Sequence, residues 1–228
     1  MIKHIPNTIT CCNLVCGCIA IVHAVFGEAD MALLFIILGA VFDFFDGMSA
    51  RLLGVSSPIG KELDSLADVV TFGVAPSAMV FDYLFQNIDA DQSFYFACVA
   101  FAMAAFSALR LAKFNLDERQ TTSFIGLPTP ANALFWGALM VAGGQWLSSS
   151  PSYIYGVVAL LFVSCYLLVA ELPMFALKFK HWGWKGNEGR YIFLLTSAAL
   201  ILTLGIIGIS AAIVWYVVLS LTTSRKTC

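Results

Sequence analysis

Four carboxylates stand close together in an otherwise apolar chain: Asp43, Asp46, Asp64 and Asp68. Asp43 and Asp46 follow the apolar run 31–42. Their spacing of three puts both on one face of a helix, and Gly47 and Ala50 continue that face. Asp64 and Asp68, four apart, share a face of the next helix. A short turn joins the two segments, so the helices are expected to run antiparallel and to bring all four carboxylates together. Like charges packed this way repel one another unless some are protonated or cations neutralise them. Hard oxygen donors without His or Cys suit Mg²⁺ or Mn²⁺, ions that keep water and substrate phosphate in their shell. A phosphate-bearing substrate is therefore expected. Gly47 leaves room for close approach at the helix surface, and Arg51 offers a planar fork suited to phosphate. The competing arrangement is a structural network in which Asp43 or Asp64 pairs with Arg51 or Lys61.

The elements that must position these groups are set by composition. Of 228 residues, 60% are hydrophobic and 11% charged, where soluble domains run near half and a quarter. Residues 5–27, 120–170 and 191–224 contain no Asp, Glu, Lys or Arg. A spanning helix needs about 20 apolar residues. The fold expected is an all-α, polytopic transmembrane bundle, with helices near 6–26, 30–53, 60–84, 93–115, 130–148, 153–173, 190–205 and 208–223. Residues 1–228 are read as one integral membrane domain. A net charge of −2 leaves no basic face for nucleic acid. The seven cysteines include no Cys-x-x-Cys pair with downstream partners, so they are read as packing residues. The apolar stretch after Lys3 lacks a small-residue cleavage site and is read as a retained first helix. His4, His23 and His181 have no partner spacing and receive no role.

All twelve cations fall at the termini or near the connections 2–3, 4–5 and 6–7. Lys and Arg accumulate on the cytoplasmic side. Both termini and the acidic cluster are therefore expected to face the cytoplasm, in a multi-pass protein of the cell (inner) membrane. A single helix over 190–223 would be about 50 Å long, against a hydrocarbon core of about 30 Å, and would put Arg225 and Lys226 outside. Two short helices are expected instead. The stretch from Lys178 to Arg190, with Trp182 and Trp184, reads as an interfacial belt.

Asp43-Phe-Phe-Asp46-Gly47-Met-Ser-Ala50-Arg51, followed by Gly60, Asp64 and Asp68, meets every fixed position of D-x2-D-G-x2-A-R-x8-G-x3-D-x3-D. On that motif the chain resembles the CDP-alcohol phosphatidyltransferases. The resemblance implies a six-helix core, about 5–176 here, with an extra hairpin at about 190–223. It also implies two divalent metals held by Asp43, Asp46, Asp64 and Asp68, with Asp68 as the base. Contacts to the nucleotide diphosphate carry over to Gly47 and Arg51, and weaker correspondences add Asn7, Thr8 and Ser57. A homodimer is implied on the same ground.

Further stretches are similar to the branch of that family that uses serine. They are Pro6-Asn7-Thr8-Ile9-Thr10 leading into Asn13, Ser65 to Pro76, Arg110-Leu-Ala-Lys113-Phe-Asn115, and Gly126-Leu-Pro128-Thr-Pro130-Ala131. The activity implied is transfer of a phosphatidyl group from CDP-diacylglycerol to L-serine, giving phosphatidylserine and CMP. A zwitterionic acceptor needs a cation for its carboxylate, which Arg110 and Lys113 can supply, with hydrogen bonds from Asn115 or Thr71. Anchoring at the interface is the other reading of Arg110 and Lys113. Glycerol 3-phosphate, inositol phosphate or choline would keep the motif and change the alcohol. A divalent-cation transporter is the alternative from another class, although a transporter is expected to spread its ligands between the two faces.

Overall fold

The computed structural model describes residues 4–55, 57–88, 93–117, 124–148, 150, 152–174, 183 and 187–224. Lys3, Arg119, Lys178, Lys180, Trp182, Trp184, Lys185, Arg225 and Lys226, on which much of the expected topology turns, lie outside them. Eight helices run through the described residues: α1 (Ile5–Val25), α2 (Ala29–Leu53), α3 (Pro58–Asn87), α4 (Phe94–Leu116), α5 (Thr129–Leu147), α6 (Ser152–Val169), α7 (Glu188–Leu204) and α8 (Ile207–Ser224). Five of these, α1 to α4 and α6, are long and apolar enough to cross a membrane. Large apolar side chains such as Phe44, Leu66, Tyr155 and Leu202 are exposed, as a surface solvated by lipid tails requires.

Around the acidic cluster, α1, α2 and α3 pack on one another. The buried face of α1 carries Pro6, Thr10, Asn13, Gly17, Ala20 and Ala24, a helical stripe that is small or polar. Gly17 sits where the α3 backbone crosses. A Cβ at that position would lie 2.8 Å from Thr71 Cα, so only glycine lets the two backbones approach this closely.

Two features were not expected from the sequence. The first is the π-helical segment Val69–Val74, which interrupts α3 directly after Asp68. Pro76 explains it: the ring has no N–H and clashes with the carbonyl of residue 72, and a π turn relieves both. The N–H of Ala75 reaches back five residues to the Val70 carbonyl. The second is a two-residue antiparallel ladder, β1 (Phe124–Ile125) with β2 (Pro173–Met174), in the register Phe124↔Met174 and Ile125↔Pro173. It ends α6 at Val169 rather than at the expected 173, because the chain beyond α6 turns to pair with the segment before α5.

The C-terminal hairpin packs through α8 on α5 and on β2. Ser210 Oγ donates to the Phe135 carbonyl at 2.8 Å. Leu127, Met174, Phe193 and Tyr216 form a small buried cluster there.

Candidate active site

The sequence builds the site from the C-terminal half of α2 and the first turns of α3. Ser57 caps α3, its Oγ accepting the Gly60 N–H at 3.0 Å, and Pro58 follows at the first helical position. The helix therefore starts nearly two turns before Asp64, which fixes where both of its aspartates point. Carboxylate oxygens of Asp43, Asp64 and Asp68 all lie within 4.8 Å of one another. Asp64 Oδ1 is buried without a hydrogen-bond partner. Three converging hard donors, one with an unused buried oxygen, fit a divalent cation.

Asp46 stands beside this group. It is 6% exposed and accepts a 2.6 Å hydrogen bond from Thr10 Oγ1. With Asp64 it lines a cleft of 260 Å³ whose walls include Asn7, Gly47, Ser57 and Lys61. Asp64 thus belongs both to the carboxylate group and to the cleft.

The competing structural network is not what the fold builds. Arg51 Nε donates to the Gly47 carbonyl at 2.9 Å, and Lys61 Nζ donates to the Asn115 carbonyl at 2.9 Å. Neither pairs with an aspartate among the described residues. Asn13 instead supports Asp68, donating from Nδ2 to Oδ1 at 3.2 Å. Asn13 is fully buried and Asp68 is 8% exposed, so this contact fixes the carboxyl in a medium where an unpaired polar group is costly.

The other expected site residues separate into groups. Gly47, Asn7 and Ser57 line the cleft. The Arg51 guanidinium lies beside Gly47, 4.0 Å from where a Cβ there would sit. Thr8 is exposed and its hydroxyl donates back to the His4 carbonyl, whereas Thr10, two residues on, faces the cleft. Thr71 is fully buried, donates to the Asn13 carbonyl at 3.0 Å and stays outside the cleft. Asn115 is a strut between α3 and α4, donating to Ser65 Oγ at 2.8 Å.

Arg110 and Lys113 line a second cleft, of 380 Å³, together with Asp117, Glu171, Ile125 and Leu168.

Residues 3–175 match the family model for CDP-alcohol phosphatidyltransferases. The chain belongs to that family. Among its relatives is a CDP-diacylglycerol–serine O-phosphatidyltransferase of Bacillus subtilis (strain 168), 36% identical over 182 residues, which covers 78% of this chain and 91% of the relative. The protein of that name from Helicobacter pylori (strain 26695) is 33% identical over 173 residues, 73% of this chain and 68% of its own. The one from Saccharomyces cerevisiae is 44% identical over 105 residues, 42% of this chain and 36% of its own. In this CDP-alcohol phosphatidyltransferase the family match ends before α7, so the terminal hairpin lies outside it.

Thr10 and Asn13 touch two of the four aspartates, and neither was assigned a role from sequence. The available signal was their spacing: polar residues at 10 and 13 share a helical face with Pro6 and Gly17 inside an apolar run.

Proposed function

We propose that the protein transfers the phosphatidyl group of CDP-diacylglycerol to L-serine, releasing CMP and forming phosphatidylserine. The convergence of Asp43, Asp64 and Asp68 carries the proposal, in a family whose similar members bear the serine-transferase name. Asp43, Asp64 and Asp68, with Asp46 as the fourth carboxylate, would hold two divalent ions, Mg²⁺ or Mn²⁺. When bound, such ions neutralise the diphosphate and the charge growing on the departing nucleotide. Gly47, Arg51, Asn7 and Ser57 border the space for the CDP diphosphate.

The serine hydroxyl oxygen attacks the phosphorus that bears the diacylglycerol ester. The bond from that phosphorus to the CMP oxygen breaks, and CMP leaves with the electron pair. The hydroxyl proton passes to Asp68. Asn13 occupies Oδ1 of that carboxyl, which leaves Oδ2 to receive the proton. No covalent enzyme intermediate is needed.

The chain is read as one membrane domain, with a core at about 5–176 and the extra hairpin at about 190–223. The lipid tails stay in the bilayer while serine enters from the cytoplasm, in the cell membrane, with both termini on the cytoplasmic side. Segregation of the cations supports that orientation, and family resemblance supports a homodimer.

The deciding experiment measures CMP release from CDP-diacylglycerol by the purified chain in detergent, with Mg²⁺ or Mn²⁺. L-serine should stimulate release well beyond glycerol 3-phosphate, inositol phosphate or choline. Equal or greater release with glycerol 3-phosphate would overturn the serine assignment and leave the family intact.

A further inference from the structure

We propose that Lys61, Ser65 and Asn115 form a latch that couples occupancy of the aspartate cleft to the end of α4. The proposal rests on the reading of that cleft as the nucleotide site. It adds a positioning residue, Asn115, that lines neither cleft.

Three hydrogen bonds close the latch into a ring. Lys61 Nζ donates to the Asn115 carbonyl at 2.9 Å, and Asn115 Nδ2 donates to Ser65 Oγ at 2.8 Å. Ser65 Oγ in turn donates to the Lys61 carbonyl at 3.3 Å. Lys61 and Ser65 stand four apart in the first turns of α3, so both face the same neighbour. Asn115 is the next-to-last residue of α4. Its carbonyl is one of the four at a helix end that the helix itself leaves without a donor. The Asp117 N–H serves the Lys113 carbonyl, and Lys61 serves that of Asn115. A cation there also meets the negative end of the α4 dipole.

Lys61 belongs to both sides of the latch. It lines the aspartate cleft along with Asp46 and Asp64, yet its ammonium is drawn to α4 and pairs with no aspartate among the described residues. An ammonium carries three donors, and the Asn115 carbonyl uses one. The remaining two are open to a diphosphate oxygen, a charge-assisted contact. An exposed lysine otherwise swings on a flexible four-carbon stem. Held by Asn115, the cation is positioned before the ligand arrives, so less side-chain freedom is lost on binding. A nucleotide diphosphate therefore favours the closed latch, and a ligand that favours one state shifts the population toward it.

The effect extends to the second cleft. Lys113, Leu116 and Asp117 line that cleft from the end of α4 that the latch holds. Filling the aspartate cleft thus steadies one wall of the other. Coupling of this kind is reciprocal, so a ligand that steadies the same wall tightens the nucleotide.

The test uses the purified full-length chain in detergent, with CDP as the probe and Mg²⁺ or Mn²⁺ present. Calorimetry gives the CDP Kd of the wild type, Lys61→Met, Asn115→Ala and the double variant, and amide hydrogen exchange follows residues 113–117. Lys61→Met removes a charge-assisted contact and should raise the Kd about tenfold or more. Asn115→Ala should raise it several-fold, although the residue lies outside the cleft. The double variant should bind no more weakly than Lys61→Met, because both changes break one ring. CDP should slow exchange at 113–117 in the wild type and not in either single variant. An unchanged Kd in Asn115→Ala would overturn the latch, as would additive losses in the double variant. So would wild-type exchange at 113–117 that ignores bound CDP, a result that needs no variant to fold. A wild type that binds no CDP would instead overturn the nucleotide reading of the cleft, and the latch with it.

Discussion

The aspartate site takes its ionisable groups from two consecutive helices, α2 and α3, whereas the cleft beside Arg110 takes them from α4 and from the chain beyond α6. The first set spans residues 43–68 and the second spans 110–171. The two also differ in sign. One is a cluster of like charges that makes sense around cations, and the other holds both signs. The difference separates two roles. Activating a nucleotide diphosphate is common to a family that varies its alcohol, and a local motif can encode it. The second cleft depends on a remote pairing of segments, held here by the short ladder and by Gly126.

The comparison is broken most sharply at Asp68. Asp68→Asn keeps the volume and one ligating oxygen but cannot accept the proton, so turnover should fall by about 10²–10⁴-fold. The affinity for CDP-diacylglycerol should change much less, since Asp43, Asp46, Asp64 and Arg51 remain. Steady-state kinetics at saturating Mg²⁺ or Mn²⁺ checks both. Retention of more than about a tenth of wild-type turnover would remove Asp68 from the role of base.

Asn13→Ala deletes the hydrogen bond that orients Asp68 Oδ1 and leaves a small cavity between α1 and α3. A contact to a charged group is worth about 1.5–3 kcal/mol, so kcat should fall by about 10- to 100-fold. The serine KM should barely move, because Asn13 serves the aspartate site alone. A larger effect on the serine KM than on kcat would erase the division between the two regions.

Gly126→Ala should have the opposite profile. A side chain at positive φ and against the Leu168 carbonyl costs about 1–3 kcal/mol of local strain, relieved by loosening the hydrogen bonds that tie Gly126 and Leu127 to the end of α6. The serine KM should rise several-fold, with the CDP-diacylglycerol KM near its wild-type value. Parallel measurement of both constants distinguishes this from general unfolding, which would lower the active fraction and leave both KM values alone.

The smallest effect is expected at Glu62, an exposed carboxylate in the first turns of α3, outside the motif. Glu62→Gln should leave kcat and both KM values within about twofold, since isolated surface charges contribute little. A large loss there would mean that overall negative charge, rather than the positions of the four aspartates, governs the site.

The bundle and the acid cluster were legible in the order of the residues. Charge-free apolar runs dictated spanning helices, because a backbone in lipid must satisfy its own hydrogen bonds. Spacings of three and four dictated which carboxylates share a face, because a helix repeats every 3.6 residues. Both are local properties. Packing of the helices was needed to establish that Thr10 holds Asp46, that Asn13 holds Asp68, and that Thr71 and Asn115 are spent on contacts between helices. Packing also brought Glu171 to the cleft of Arg110, about sixty residues earlier in the chain. Thr71 donates to the Asn13 carbonyl of α1, on the side of α3 where Asn13 also holds Asp68. Such facings depend on where a second helix lies, and no periodicity within one segment carries that information.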